Sequence, residues 1–186
     1  NPYNNEICMT WTQFDKYGSK DPIDSSLILF SKTTDQGRTW SKPLRISKFA
    51  GDCIDDDNTV EGAVPAIGPN GEIYVTWSGP KGLVFQRSLD GGQTWLPEEQ
   101  HITNHEGGWT IDIPGMYRAN GLPILVCDLS NGPNRGTLYL NWCDQRNGSD
   151  ETDVFIARSN DKGKTWSSIS SNLPENGAVY CIAEDY

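Results

Sequence analysis

An eight-residue pattern occurs three times in this chain, at 33–40, 88–95 and 159–166. Each copy has a hydroxyl residue first, Asp third, Gly fifth and Thr-Trp last. A short Asp side chain accepts hydrogen bonds from nearby backbone N–H groups, and Gly adopts the positive φ that other residues resist. Thr-Trp then favours an extended chain with a large apolar side chain to bury. The octets therefore predict the same tight turn in each of three structural repeats.

A second repeat runs out of step with the octets. Its three copies each end in Trp and align without gaps at 6–11, 72–77 and 137–142. A short apolar stretch also stands before each octet, at 27–30, 83–85 and 154–156. The distance from the first Trp to the octet Asp varies between repeats, as a variable loop between constant strands would produce. Several strands with one turn of constant length are typical of a propeller blade.

The octets resemble the Asp-box, the bacterial neuraminidase repeat of sialidases and related β-propellers. The segments 62–77 and 136–148 resemble sialidase-like proteins of bacterial surfaces. This resemblance covers nearly the whole chain and implies an all-β fold, a β-propeller of the sialidase type. In that family the Asp-box lies at the blade periphery, away from the catalytic face, and it also occurs in proteins of other functions. The residues that would be structural Asp-box residues are Asp35, Gly37, Trp40, Asp90, Gly92, Trp95, Asp161, Gly163 and Trp166.

We expect one domain, 1–186, with about three four-stranded blades. Blade one is predicted at 1–47, blade two at 62–100 and blade three at 121–170. The innermost strand of blade one is either missing or supplied by 177–186, because Gly177-Ala-Val179 echoes the start of blade two at Gly62-Ala-Val64. Three blades are too few to close a propeller. The chain is therefore a fragment of a longer six-bladed chain, which we favour, or half of a ring that a homodimer closes by exchanging end strands.

Composition narrows the partners and the location. The 186 residues carry a formal net charge of −10, which disfavours duplex nucleic acid and anionic membranes as partners. No apolar run approaches the length that membrane insertion needs. Because the sequence begins without Met and without a signal peptide, we interpret it as a processed form or an excised piece. The resemblance implies a secreted or cell-surface protein of bacterial origin.

No cofactor is expected, with calcium as the one alternative. Asp55 and Asp57 stand in the most acidic window of the chain and are weak calcium candidates, since carboxylates suit that ion. A solvated acidic loop is the preferred interpretation, because the spacing is not that of an EF-hand. His101 and His105 are four residues apart, but nearby glycines argue against the helix that a metal site would need. Five cysteines show no metal-binding spacing.

The candidate ligand-binding residues come from two stretches. One is the longest irregular stretch, 96–121, and the other is the loop that follows the repeat copy at 137–142. A loop of this length is often functional. An aromatic ring beside Arg and Asp can stack on a sugar and bond its hydroxyls, although packing under the loop is the alternative for each ring. Similarly, an arginine between carboxylates often forms a structural ion pair. The candidates are Trp109, Asp112, Tyr117, Arg118, Asp144 and Arg146.

No catalytic residue can be assigned. The resemblance implies three arginines that clamp a carboxylate, an Asp acid and a Tyr activated by Glu. Arg45-Ile-Ser47 only partly matches the first arginine motif and lies on an outer strand, and no Tyr–Glu pair can be identified. We therefore favour a surface-associated module that binds glycan or protein. The alternative is part of an exo-α-sialidase or a related glycoside hydrolase.

Overall fold

The computed structural model describes residues 1–173 except 3, 57, 112 and 114, and this part is all-β. Its strands are β1 Ile7–Phe14, β2 Ser26–Thr33, β3 Leu44–Arg45, β4 Glu61–Ile67, β5 Ile73–Gly79, β6 Gly82–Ser88, β7 Gln100–Thr103, β8 Ile124–Cys127, β9 Leu138–Gly148, β10 Glu151–Ser159 and β11 Ser167–Ser168. One short 3₁₀-helix, η1, spans Ser170–Asn172. The all-β prediction is confirmed. Within the described residues, no helical segment has the length and apolar character that a membrane crossing requires.

The strands form three antiparallel sheets in chain order. The first sheet is β1-β2-β3, the second is β4-β5-β6-β7 and the third is β8-β9-β10-β11. Each sheet is a meander, in which every strand pairs with the next one along the chain. Residues 174–186 lie outside the described part, and with them the segment 177–186 that the sequence predicts as an innermost strand.

The sheets stack face to face, with a hydrophobic cluster in each of the two junctions. Ile28 and Phe30 of β2 pack against Ile73, Val75 and Trp77 of β5. The second junction joins the other face of the second sheet to the third, and its buried members include Tyr74, Leu83, Phe85, Leu125, Leu138, Leu140 and Trp142. Because side chains alternate between the two faces of a strand, β5 serves both junctions and is buried along its whole length.

All three octets close the same turn. The octet Asp accepts from its Thr twice, at 2.9 and 2.6 Å for Asp35 and Thr39, at 2.8 and 2.6 Å for Asp90 and Thr94, and at 2.9 and 2.6 Å for Asp161 and Thr165. The leading hydroxyl accepts from the octet glycine, at 2.7 to 3.0 Å. Positive φ occurs at the fourth position as well as at the glycine, with Gln36 at 63° and Lys162 at 63°. The turn therefore needs two consecutive left-handed residues, of which the pattern marks one.

The meander gives the stack two different ends. The octets join β2 to β3, β6 to β7 and β10 to β11, so they lie at one end, which we call the octet end. The connections 15–25, 46–60 and 104–123 lie at the opposite end, which we call the loop end. The candidates Trp109, Tyr117 and Arg118, which lie in the connection 104–123, are therefore at the end opposite to the octets.

Candidate functional site

Three connections from different parts of the chain meet at the loop end. The β1–β2 connection is tied to the β3–β4 connection by the Gly18 N–H, which donates to the Cys53 carbonyl at 2.6 Å. Gly18 has a φ of 77°, which suits glycine and lets the loop turn at this contact. The third connection, between β7 and β8, adds Arg118. The site is therefore assembled by the stacking of the sheets, not by one continuous segment.

Asp55 is the centre of this cluster. Its Oδ2 accepts a hydrogen bond from the Tyr17 hydroxyl at 2.7 Å, and from Arg118 Nη2 at 3.0 Å. Arg118 Nη2 also lies 3.2 Å from Asp55 Oδ1. The hydrogen bond to the Asp55 carboxylate raises the pKa of Tyr17, because the phenolate would face a negative charge. Tyr17 therefore keeps its proton and acts as a donor in this arrangement.

The backbone holds Asp55 in an uncommon conformation. Its φ is 68°, and its N–H donates to the Thr59 hydroxyl at 3.0 Å. Thr59 is fully buried and its hydroxyl also donates to Asp52 Oδ1 at 3.2 Å. A non-glycine residue at positive φ stores strain that its surroundings must compensate, and such residues concentrate at functional sites. Asp55 is thus aimed at Tyr17 and Arg118 by a loop built around Thr59.

Glu61, the first residue of β4, belongs to the same cluster. Burial raises its pKa, the charge of Asp55 adds to this rise, and the charge of Arg118 opposes it. A partly buried carboxyl with a raised pKa can hold a proton to higher pH than an ordinary glutamate. The cluster therefore combines two donors, the Asp55 carboxyl that accepts from both, and a second carboxyl, Glu61, whose pKa is raised.

The aromatic candidates divide between surface and interior. Tyr117 is fully exposed next to Arg118, so its ring is open to a ligand. Trp109 is 2% exposed, so it packs under the loop, as the alternative interpretation of its sequence position expects. Its ring therefore has no open face for stacking on a ligand. Asp112 lies outside the described residues. Tyr117 and Arg118 are the two predicted residues that this segment presents to solvent at the cluster.

Asp144 and Arg146 form an ion pair in the C-terminal half of β9. Asp144 is fully buried and accepts from Trp142 Nε1 at 2.9 Å as well as from the Arg146 guanidinium. Burial raises the pKa of Asp144, but hydrogen bonds from Arg146 and Trp142 outweigh it and leave the pKa lowered. The guanidinium also stacks on Phe155, with its carbon 4.2 Å from the ring centroid. Arg146 borders an open cleft that is also lined by His101, Thr103, Asn104, Glu106 and Gln145.

His105 joins the second sheet to the third. Its Nε2 lies 3.1 Å from the Gly121 carbonyl and 3.0 Å from the Cys143 carbonyl, so this nitrogen carries the proton. Its Nδ1 then accepts from the Ser78 hydroxyl at 2.7 Å. Ser78 is buried, so this pair supports the loop end and does not face a substrate. His105 is a structural residue here.

Of the two calcium candidates, Asp55 alone belongs to the described residues. The Asp55 carboxylate already binds Tyr17 and Arg118, and Asp57 lies outside the described residues. Residues 1–173, with their four gaps, contain no group of three His, Cys, Asp or Glu side chains that could hold a metal ion. Calcium binding stays an untested alternative.

The loop end can bind a polar ligand by complementary groups. Arg118 offers guanidinium donors, Tyr17 offers a hydroxyl, Asp55 and Glu61 offer carboxyl oxygens, and Tyr117 offers an aromatic face. The sequence singled out Tyr117 and Arg118 but not the pairing with Tyr17 and Asp55. The sequence carries one indication of this pairing, which is the position of the two residues. Tyr17 and Asp55 lie in connections that join strands at the same end of neighbouring sheets.

The fold is shared with two solved structures. One is a protein of unknown function from Dyadobacter fermentans DSM 18053, with a TM-score of 0.55 and 17% identity over 89% of this chain. The other is the Hadza microbial sialidase Hz136, with a TM-score of 0.52 and 20% identity over 87% of this chain. The chain spans 51% of the first structure and 34% of the second. Comparison with family models and with curated proteins gives no match. The chain is therefore an all-β protein with distant structural similarity to a sialidase.

Proposed function

We propose that this chain is part of a sialidase-like Asp-box β-propeller that binds a carbohydrate or protein ligand at its loop end. The three stacked meanders would be blades, and the octets would be Asp-boxes at their periphery. The observation that carries the proposal is the joining of Tyr17, Asp55 and Arg118 from three separate connections. Convergent polar groups on loops that a rigid scaffold positions are typical of ligand sites.

A glycan is the ligand that this surface fits best. Tyr117 can stack on the apolar face of a sugar ring, and the adjacent Arg118 can donate to its hydroxyls or to an acidic group. Arg118 is exposed while Asp55 beneath it is largely buried, so the ion pair fixes the guanidinium and leaves free donors toward solvent. Such fixing reduces the entropy that the side chain loses on binding.

Glycan-array binding followed by calorimetry tests this proposal. We expect Tyr117→Ala and Arg118→Ala each to weaken binding of the best array ligand roughly tenfold or more, since one charged hydrogen bond or stacking contact contributes on that order. Arg38→Ala is the matched control, because Arg38 is exposed at the octet end. Binding that survives both loop-end substitutions, or that is lost in the control, would contradict the assignment.

A hydrolase is the second candidate, part of an exo-α-sialidase or a related glycoside hydrolase. Two observations favour it: one solved structure of similar fold is a sialidase, and Glu61 has a raised pKa in a cluster with a tyrosine and an arginine. Release of fluorophore from a 4-methylumbelliferyl sialoside tests it directly. Turnover that Glu61→Gln abolishes would support the hydrolase over the binding module. Absence of turnover in the intact chain would favour the binding module.

The location and assembly follow from the same proposal. We place the protein outside the cell or on a bacterial surface, where glycans are accessible. The chain would belong to a six-bladed ring, completed by further blades of a longer chain or by a second copy that exchanges end strands. Detection of the protein on intact cells by a membrane-impermeant label tests the location, and labelling only after lysis would contradict it.

A further inference from the structure

The first sheet exposes apolar side chains on its outer face, at repeat positions whose equivalents in the second sheet are buried. We call this outer side the front of the stack. In the second sheet, Ile73 and Val75 pack against the first sheet and are both 0% exposed. Ile7 and Met9 hold the same positions of the repeat in the first sheet, and they are 48% and 41% exposed. The octet residue Trp40 is exposed on this sheet as well. We call Ile7, Met9 and Trp40 the front face.

The back of the stack shows the same contrast. Ala66 of β4 opposes Tyr74, is buried, and packs in the junction with the third sheet. Val126 of β8 opposes Tyr139, the repeat equivalent of Tyr74, and is 53% exposed. Ile124 is exposed on the same strand. Together with the exposed Arg158, we call Ile124 and Val126 the back face.

Each internal junction is also closed by a repeated hydrogen bond. Lys32 Nζ of the first sheet donates to the Gly91 carbonyl in the octet of the second, at 2.8 Å. Arg87 Nη1 of the second sheet donates to the Lys162 carbonyl in the octet of the third, at 2.5 Å. Both cations stand immediately before an octet, and both carbonyls belong to the fourth residue of the next octet. Arg158 holds the donor position on the back face.

The acceptor of that next bond is present at the front. Gln36 is the fourth residue of the first octet, so its carbonyl corresponds to those of Gly91 and Lys162. The aromatic contacts repeat in the same direction, with ring centroids 5.0 Å apart for Phe30 and Trp95. The front face therefore carries the octet half of a junction, and the back face carries the donor half.

We propose that the front face of one copy of this chain binds the back face of a second copy, in a closed pair with two such junctions. The partner is identified by continuity, because each face repeats half of a junction that the stack already forms twice. Around a two-fold axis, the front face of each copy meets the back face of the other, so the two contacts close the assembly. Neither apolar face then stays exposed. This contact between copies does not depend on glycan binding. The interpretation of the resulting six sheets as one ring rests on the β-propeller proposed above.

Sedimentation velocity at micromolar concentration tests the pairing. We expect a species of twice the 20.6 kDa chain mass. Met9→Asp on the front and Val126→Asp on the back should each give the 20.6 kDa monomer with an unchanged circular dichroism spectrum, because both side chains are solvent-exposed within one chain. Ile23→Asp is the matched control, since Ile23 is 82% exposed in the β1–β2 connection and lies on neither face. This control should remain a dimer.

Arg158→Ala tests the hydrogen bond. It should raise the dissociation constant of the pair about a hundredfold or more, because one charged hydrogen bond, worth about tenfold, is lost in each of the two junctions. A wild-type monomer throughout the micromolar range would overturn the proposal without affecting the ligand site. A series of masses beyond twice the chain mass would overturn the closed pair, and a dimer that survives both Asp substitutions would place the contact elsewhere.

Discussion

The junction between the second and third sheets can be tested at Gly163. This glycine has a φ of 80°, and a Cβ built on it would lie 2.3 Å from two ring carbons of Phe85. An alanine at this φ costs about 1–2 kcal/mol. Crowding in a packed contact adds about 1–3 kcal/mol. Gly163→Ala should therefore destabilise the protein by about 2–5 kcal/mol, the sum of these two costs.

Gly18→Ala is the matched control, because Gly18 has a φ of 77° and nothing within 4 Å of its built Cβ. Both substitutions reduce the entropy of the unfolded chain equally, so that gain cancels in the comparison. Urea denaturation at one fixed protein concentration should give a difference of about 1–3 kcal/mol between the two variants. Equal destabilisation would refute the contact between the third octet and Phe85, and with it the stacking of these sheets.

Three further predictions concern titratable groups. Hydrogen bonds from the octet threonine lower the pKa of Asp90 from 3.8 to about 2. The ionised Asp90 therefore stabilises the folded protein fully above its ordinary pKa, and this contribution is lost as the pH falls from 4 toward 2. Asp90→Asn should flatten the acid side of a plot of melting temperature against pH. Asp144→Ala removes the carboxylate to which Arg146 and the buried Trp142 indole both donate, and it should cost about 3 kcal/mol in urea denaturation. Asp55→Asn should lower the raised pKa of Tyr17 toward 10, as followed by ultraviolet titration.

Each of these has an outcome that contradicts it. An acid limb unchanged by Asp90→Asn would mean that the octet carboxylate does not bond its threonine when folded. The control for Asp144→Ala is Asp150→Ala, since Asp150 is exposed in the turn between β9 and β10; equal costs would exclude the buried pair. A Tyr17 pKa that ignores Asp55→Asn would remove the hydrogen bond on which the loop-end cluster depends.

The local turns and strands could be predicted from the sequence because their causes are local. The Asp, Gly and Thr of each octet satisfy each other within eight residues, so three copies identify the turn without any tertiary information. The repeat copy at 137–142 likewise identifies the first half of β9, in which buried and partly exposed positions alternate. The positive φ at Gln36 and Lys162 was not predictable in this way, because neither residue type favours it.

The candidate site was predicted only in part because its contacts are long-range. Asp55 and Tyr17 are 38 residues apart and Asp55 and Arg118 are 63 apart, and the stacking of sheets brings them together. The burial of Trp109 likewise depends on what covers it, which composition does not reveal. Tyr117 and Arg118 could be chosen because a long connection at one end of a sheet is a frequent ligand site.

The most direct test of a ligand site at the loop end is a ¹⁵N NMR titration with the best ligand from the glycan array. We predict that backbone signals of Tyr17, Asp55, Glu61, Tyr117 and Arg118 shift with ligand and report one dissociation constant. Signals of the three octets at the opposite end should stay unchanged. Shifts confined to the octet end, or shifts that persist in Arg118→Ala with the same affinity, would contradict the site.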